Sequence, residues 1–195
     1  MSHSPSIHVL AFAGSLRKGS YNRALLAAAQ AEAPAGMTIE IFDIAGIPLY
    51  NADVESEGDP KPVAAFKAAI GAADALLIAT PEYNHGVPGV TKNAVDWASR
   101  PARQSPLDAK PVGILGASPG MTGTARGQSQ LRQAFAFTNS YWMPQPEILV
   151  FRAHEKFDGE GRLTDAKTRE LLGKYLAAFA AWAGRFAGAV TPGAG

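Results

Sequence analysis

Ile7-His8-Val9-Leu10-Ala11-Phe12-Ala13-Gly14-Ser15-Leu16-Arg17-Lys18-Gly19-Ser20-Tyr21-Asn22 is an apolar run that breaks into glycine, serine and two cations before a helix opens. The run Ile7 to Phe12 is continuous rather than alternating, as expected of a strand covered on both faces. A loop that joins a buried strand to a helix N-terminus offers free backbone N–H groups and the positive end of the helix dipole, so it suits an anion. Ser15, Ser20 and Asn22 add neutral donors, and Arg17 adds a forked, charge-assisted one. The spacing Gly14-x-x-x-x-Gly19 is that of a triphosphate loop, but Ser20 stands where that loop needs lysine. Leu16 replaces the middle glycine of a dinucleotide loop, removing the close approach a pyrophosphate needs. A terminal monophosphate fits better.

Outward from this stretch the same strand-then-helix unit recurs. Thr38–Phe42, Ala75–Ala79, Val112–Leu115 and Ile148–Val150 read as further strands. Asn22–Ala33, Pro62–Ala72, Thr91–Ser99 and Thr124–Asn139 read as helices. Alternating β and α predicts one doubly wound α/β domain over residues 1–195, built on a five-stranded parallel sheet. A last helix, Thr164 to Ala187, carries Leu172, Tyr175, Leu176, Phe179, Trp182, Ala183 and Phe186 at spacings of three and four, a stripe expected to pack on the sheet. Residues 1–6 and 188–195 are expected to be disordered tails. Ligands of such sheets sit beyond the carboxyl ends of the strands, where Gly14–Asn22, Thr80–Lys92 and Ala117–Thr124 lie. The polar stretch Ile47–Pro60 reads as a lid or interface loop.

Composition narrows the chemistry. With 18 basic and 17 acidic residues the formal charge is +1, too balanced for nucleic acid or anionic membrane as a partner. There is no cysteine, which removes thiolate catalysis, iron–sulfur ligation and disulfides together. The histidines, His3, His8, His85 and His154, lack metal-ligand spacing, and no metal is expected. The polar start has no signal-peptide pattern, and Lys174 and Arg185 interrupt the apolar C-terminal stretch too closely for a span. A cytoplasmic protein without a membrane partner is expected.

One rival chemistry is written in the chain. Gly116-Ala117-Ser118-Pro119-Gly120 follows a strand and matches the G-x-S-x-G elbow of serine hydrolases. The oxyanion hole of that elbow uses the N–H of the residue after the serine, and Pro119 has none. Only Glu147 and His154 follow as partners.

The second loop, Pro81-Glu82-Tyr83-Asn84-His85-Gly86-Val87-Pro88, and the helix start Lys92-Asn93-Ala94-Val95-Asp96-Trp97 complete the pattern. Together with GSLRKGSYN they resemble the NADPH-dependent FMN reductase family, close to its quinone and chromate reductases, from Ile7 to about Trp182. The resemblance implies a flavodoxin-like three-layer sandwich of strand order 2-1-3-4-5, and a homodimer or homotetramer. It implies that Ser15, Arg17, Ser20 and Asn22 hold the FMN phosphate. Pro81, Glu82, Tyr83, Asn84 and His85 then lie along the isoalloxazine, with Ser118 to Gly120 closing the other side. It also implies electron transfer from NADPH or NADH through FMN to small acceptors such as quinones, with flavin N5 carrying the chemistry and no catalytic side chain.

The residues make physical sense of that assignment. Two prolines and a glycine stiffen the loop around Tyr83 and Asn84, so its amides are placed to face a flavin edge. The alternative outside enzymology is a flavodoxin-like electron carrier, a binding module that exchanges electrons with proteins and does not itself oxidise NAD(P)H. A carrier calls for a steering charge patch, which +1 does not suggest.

Overall fold

A computed structural model describes residues 6–102 and 104–186. Strands β1 (Ile7–Ala13), β2 (Met37–Ile41), β3 (Ala75–Ala79), β4 (Pro111–Ala117), β5 (Tyr141–Trp142) and β6 (Ile148–Val150) form one parallel sheet. Helices α1 (Tyr21–Ala31), α2 (Ala52–Ser56), α3 (Lys61–Ala72), α4 (Gly89–Ala98), α5 (Ala125–Phe137) and α6 (Ala166–Gly184) connect and follow them. The order β2-β1-β3-β4-β5 is the flavodoxin-like one.

The sheet has six strands, where five were expected from the sequence, because its last position is shared. β5 pairs with the start of β4 through Pro111 and Val112, and β6 pairs with its end through Leu115 to Ala117. The chain between them, Met143 to Glu147, contains Pro144 and Pro146, which have no N–H for a ladder. A single long strand therefore cannot run through.

The period-2 alternation of the central strands divides the interior into two layers. Val9, Ala11, Leu77 and Leu115 face α1 and α6 with Leu25, Leu176 and Phe179. Leu10, Phe12, Leu76 and Ile114 face the other side with Phe66, Val95 and Phe135. Each fully buried leucine or phenylalanine contributes roughly 1.5–3 kcal/mol. The expected stripe of α6 packs as read, and it needs Gly113 opposite it. A Cβ there would stand 2.8 Å from the Tyr175 hydroxyl, which donates to Ile114 O at 3.0 Å.

The stretch Ile47–Pro60 holds the short helix α2 and is strapped to α4 at its start. Pro48 O accepts from Trp97 Nε1 and Asn93 Nδ2, both at 2.8 Å, and Asn93 Oδ1 accepts from Tyr50 N at 2.8 Å. Of the expected tails, residues 1–5 and 188–195 lie outside the described residues. Among the described residues no helix is long and apolar enough to cross a membrane.

Candidate functional site

The three loops singled out from the sequence leave the carboxyl ends of β1, β3 and β4, neighbouring strands of the sheet. Connections run outward in both directions from β1 and β3, and this reversal opens a crevice there.

The first loop starts at Gly14, whose N–H donates to Ala79 O at 2.8 Å. A side chain at that position would place Cβ 1.9 Å from Thr91 Oγ1 on α4, so only glycine lets the loop lie this close to the helix. From Ser15 to Gly19 no backbone N–H has a protein acceptor among the described residues. Ser20 caps α1, its Oγ accepting from Asn22 N at 3.2 Å. Arg17 and Lys18 are exposed and form no ion pair among the described residues, while Ser15 is buried beside a cavity of about 210 Å³ shared with Arg23 and Asp43. Free amides, a helix N-terminus and an unpaired guanidinium converge here, the donor set of a phosphate monoester.

Asn22 does something the sequence did not reveal. Its side-chain Nδ2 donates to Ala117 O and its Oδ1 accepts from Ala117 N, both at 2.9 Å, and the residue is 2% exposed. The carboxamide is thereby committed to tying the first loop to the third.

In the second loop Pro81 is buried and the chain turns tightly after Glu82. Tyr83 and Gly86 exchange both backbone hydrogen bonds, at 3.1 and 3.0 Å, around Asn84 (φ 50°) and His85 (φ 63°). Two successive left-handed residues make the type I′ geometry, which costs of order 1 kcal/mol or more per non-glycine residue and persists only where the surroundings hold it. Among the described residues the amides of Asn84 and His85 have no protein acceptor, and Tyr83 is 53% exposed. Glu82 is turned into the protein, where Oε2 accepts from the N–H groups of Arg126 (2.9 Å) and Gly127 (3.1 Å) at the start of α5.

The third loop is locked to the segment after β6. Ser118 N donates to Val150 O at 2.9 Å, and Ser118 O accepts from Ala153 N at 3.0 Å. Gly116 lets it pack on the second loop, since a Cβ would lie 2.1 Å from Thr124 Oγ1 and 2.5 Å from Thr80 O. Ser118 Oγ accepts from Gly120 N at 3.1 Å and, among the described residues, bonds no histidine. Glu147 pairs with Arg132 at 2.6 Å and His154 lies 3.5 Å from Glu155, so among the described residues the hydrolase elbow has no assembled triad.

Residues outside the sequence expectation complete the rim. Leu16 in the first loop and Met121 in the third, 48% and 73% exposed, add apolar surface to those loops, and Gln130 Oε1 accepts from Val87 N at 2.6 Å. Gln130 left no local signal, since its partner lies 43 residues away. Asp96 and Trp97 prove to be framework, Asp96 pairing with Lys92 at 2.6 Å and Trp97 wholly buried. FMN fits what is present: a phosphate end of free amides plus Arg17, then a rim of unpaired amides and exposed apolar side chains for a flat ring.

The model of the NADPH-dependent FMN reductase family matches residues 7–155, and the chain belongs to that family. An NAD(P)H-dependent FMN reductase of Pseudomonas aeruginosa is 51% identical over 185 residues, covering 95% of this chain and 100% of that protein. A 2-hydroxy-1,4-benzoquinone reductase of a Burkholderia species is 41% identical over 177 residues, covering 91% of this chain and 96% of the relative. Among solved structures, FerB, a flavoenzyme NAD(P)H:(acceptor) oxidoreductase from Paracoccus denitrificans, superposes with a TM-score of 0.84 at 35% identity, covering 92% of this chain and 98% of that one.

Proposed function

We propose that this protein is an FMN-dependent oxidoreductase that takes electrons from NADPH or NADH and passes them to quinones or similar small acceptors. The observation that carries the reading is the crevice beyond β1 and β3, where, among the described residues, the amides of Ser15 to Gly19 and the Arg17 guanidinium have no protein acceptor. Bound FMN supplies hydride acceptance and donation, so no protein nucleophile is required.

The chain's own task is to bind and orient. Ser15, Arg17 and Ser20 take the phosphate, and Asn22 holds the first loop against the third. Pro81 and Glu82 set the second loop, while Tyr83, Asn84 and His85 offer an aromatic face and two amides to the flavin and to a substrate lying on it. Ser118 and Gly120 close the opposite wall. A flat quinone stacks favourably beside Tyr83, and the nicotinamide needs the same place, so the two substrates exclude one another. Initial rates for NADPH against a benzoquinone test this: parallel double-reciprocal lines are expected, and intersecting lines contradict the shared site.

The same reading includes a homodimer or homotetramer and a cytoplasmic location, where reduced nicotinamides are the available donors. Support for self-association comes from the α4–α5 face, which carries a groove of about 710 Å³ lined by Val87, Val95, Leu131 and Ala134. Phe137, 90% exposed at its end, is a large apolar side chain of the kind that marks an interface.

A further inference from the structure

Glu82 lies in the loop that runs along the site, yet its side chain is only 6% exposed and its carboxylate is engaged by α5. That helix begins without a local cap. Thr124 stands at its N-cap with φ 77° and makes no side-chain cap bond, so the first-turn amides of Arg126 and Gly127 have no acceptor from their own segment. Glu82, 44 and 45 residues earlier, accepts from both, and Arg126 Nη1 lies 3.6 Å from its other oxygen. A carboxylate placed on a helix N-terminus meets both the free N–H groups and the dipole.

The contact continues along the helix. Beneath the turn sits Gly127, where a Cβ would lie 3.3 Å from the carbonyl oxygens of both Pro81 and Gly86. One helical turn further, Gln130 takes the Val87 N–H at 2.6 Å. The strained pair Asn84 and His85 is therefore held from both sides by one helix, with Glu82 as the charged anchor.

Resting on the FMN reading above, we propose that Glu82 is a positioning residue. By capping α5 from within the flavin loop, it sets where the free amides of Asn84 and His85 point. Its side chain acts on the helix, and the peptide groups it places act on the ligand.

The test is FMN titration of the apoprotein by fluorescence quenching, in wild type and in Glu82→Gln, Glu82→Ala and Asp165→Ala. Asp165 caps α6, accepting from Thr168 N at 3.2 Å and Oγ1 at 2.9 Å, and serves as a control for loss of a cap elsewhere. Both alanine variants should lower the Tm. Only Glu82→Ala should also weaken FMN binding, about tenfold, the scale of losing hydrogen bonds to a charged group. Glu82→Gln, which keeps one neutral acceptor oxygen, should lose roughly half as much on a logarithmic scale, since neutral bonds are about half as strong. In hydrogen exchange the Gly86 and Val87 amides should open faster in Glu82→Ala and stay unchanged in Asp165→Ala. Unchanged FMN affinity in both Glu82 variants, or an equal loss in Asp165→Ala, overturns the proposal. A wild-type protein that binds no FMN removes the reading beneath it.

Discussion

Asn22 and Ala117 hold each other through a closed pair of hydrogen bonds, 2.9 Å in each direction, across 95 residues of sequence. The pair joins the start of α1 to the end of β4, and so sets the width of the crevice between the phosphate loop and the Ser118 loop. Asn22→Ala leaves the N–H and C=O of Ala117 buried and unpaired, at about 1–3 kcal/mol for each group. Urea unfolding should show a loss of about 2–6 kcal/mol on that basis, and FMN affinity should fall with it.

Arg17 presents the opposite case, an exposed side chain with no ion pair among the described residues. Arg17→Ala should leave the Tm nearly unchanged and weaken FMN binding by roughly 1.5–3 kcal/mol, the value of a bond to a charged group. Isothermal titration with FMN checks it. Ser118→Ala should lower no esterase activity, because among the described residues Ser118 has no triad partners to lose.

Phe137 tests the assembly. Phe137→Glu places a charge at the end of the α4–α5 groove, and should shift sedimentation toward the monomer without lowering the Tm of the isolated fold. An unchanged sedimentation coefficient would move the interface elsewhere.

Much of this architecture is legible in the sequence, because buried parallel strands leave continuous apolar runs and the phosphate loop joins one of them to a helix. β5 is not, since a two-residue strand has no periodicity to read. Within the candidate site, the phosphate reading of Ser15, Arg17 and Ser20 rests on features that lie close in sequence, a loop and a helix start. The tasks of Asn22 and Glu82 are hidden, since each is decided by backbone groups that only the folded sheet brings near. His85 carries no sign of its left-handed backbone, because that conformation is imposed by the turn around it.

Lys110 and Tyr175 predict how stability responds to alkali. Burial pushes the Lys110 ammonium below its ordinary 10.5, with Asp74 pulling weakly the other way, and its Nζ donates to Ala73 O at 2.5 Å. Below its folded pKa both states are charged. Between that value and 10.5 the unfolded chain binds more protons, so stability rises with pH. Burial pushes the Tyr175 phenol well above its ordinary 10. Above pH 10 the unfolded chain therefore loses a proton that the folded protein keeps, and stability falls. Urea midpoints should climb into the alkaline range and then decline past pH 10. Lys110→Met should remove the climb, and Tyr175→Phe should soften the decline.

The central claim is that one chain both accepts electrons from a reduced nicotinamide and hands them to a small acceptor through FMN. Anaerobic spectrophotometry of the FMN-reconstituted protein separates the two half-reactions. NADPH alone should bleach the flavin band at one FMN per chain, and a benzoquinone added afterwards should restore it, with no second protein present. A flavin band that NADPH leaves untouched until a separate reductase is supplied would contradict the account and make the protein an electron carrier.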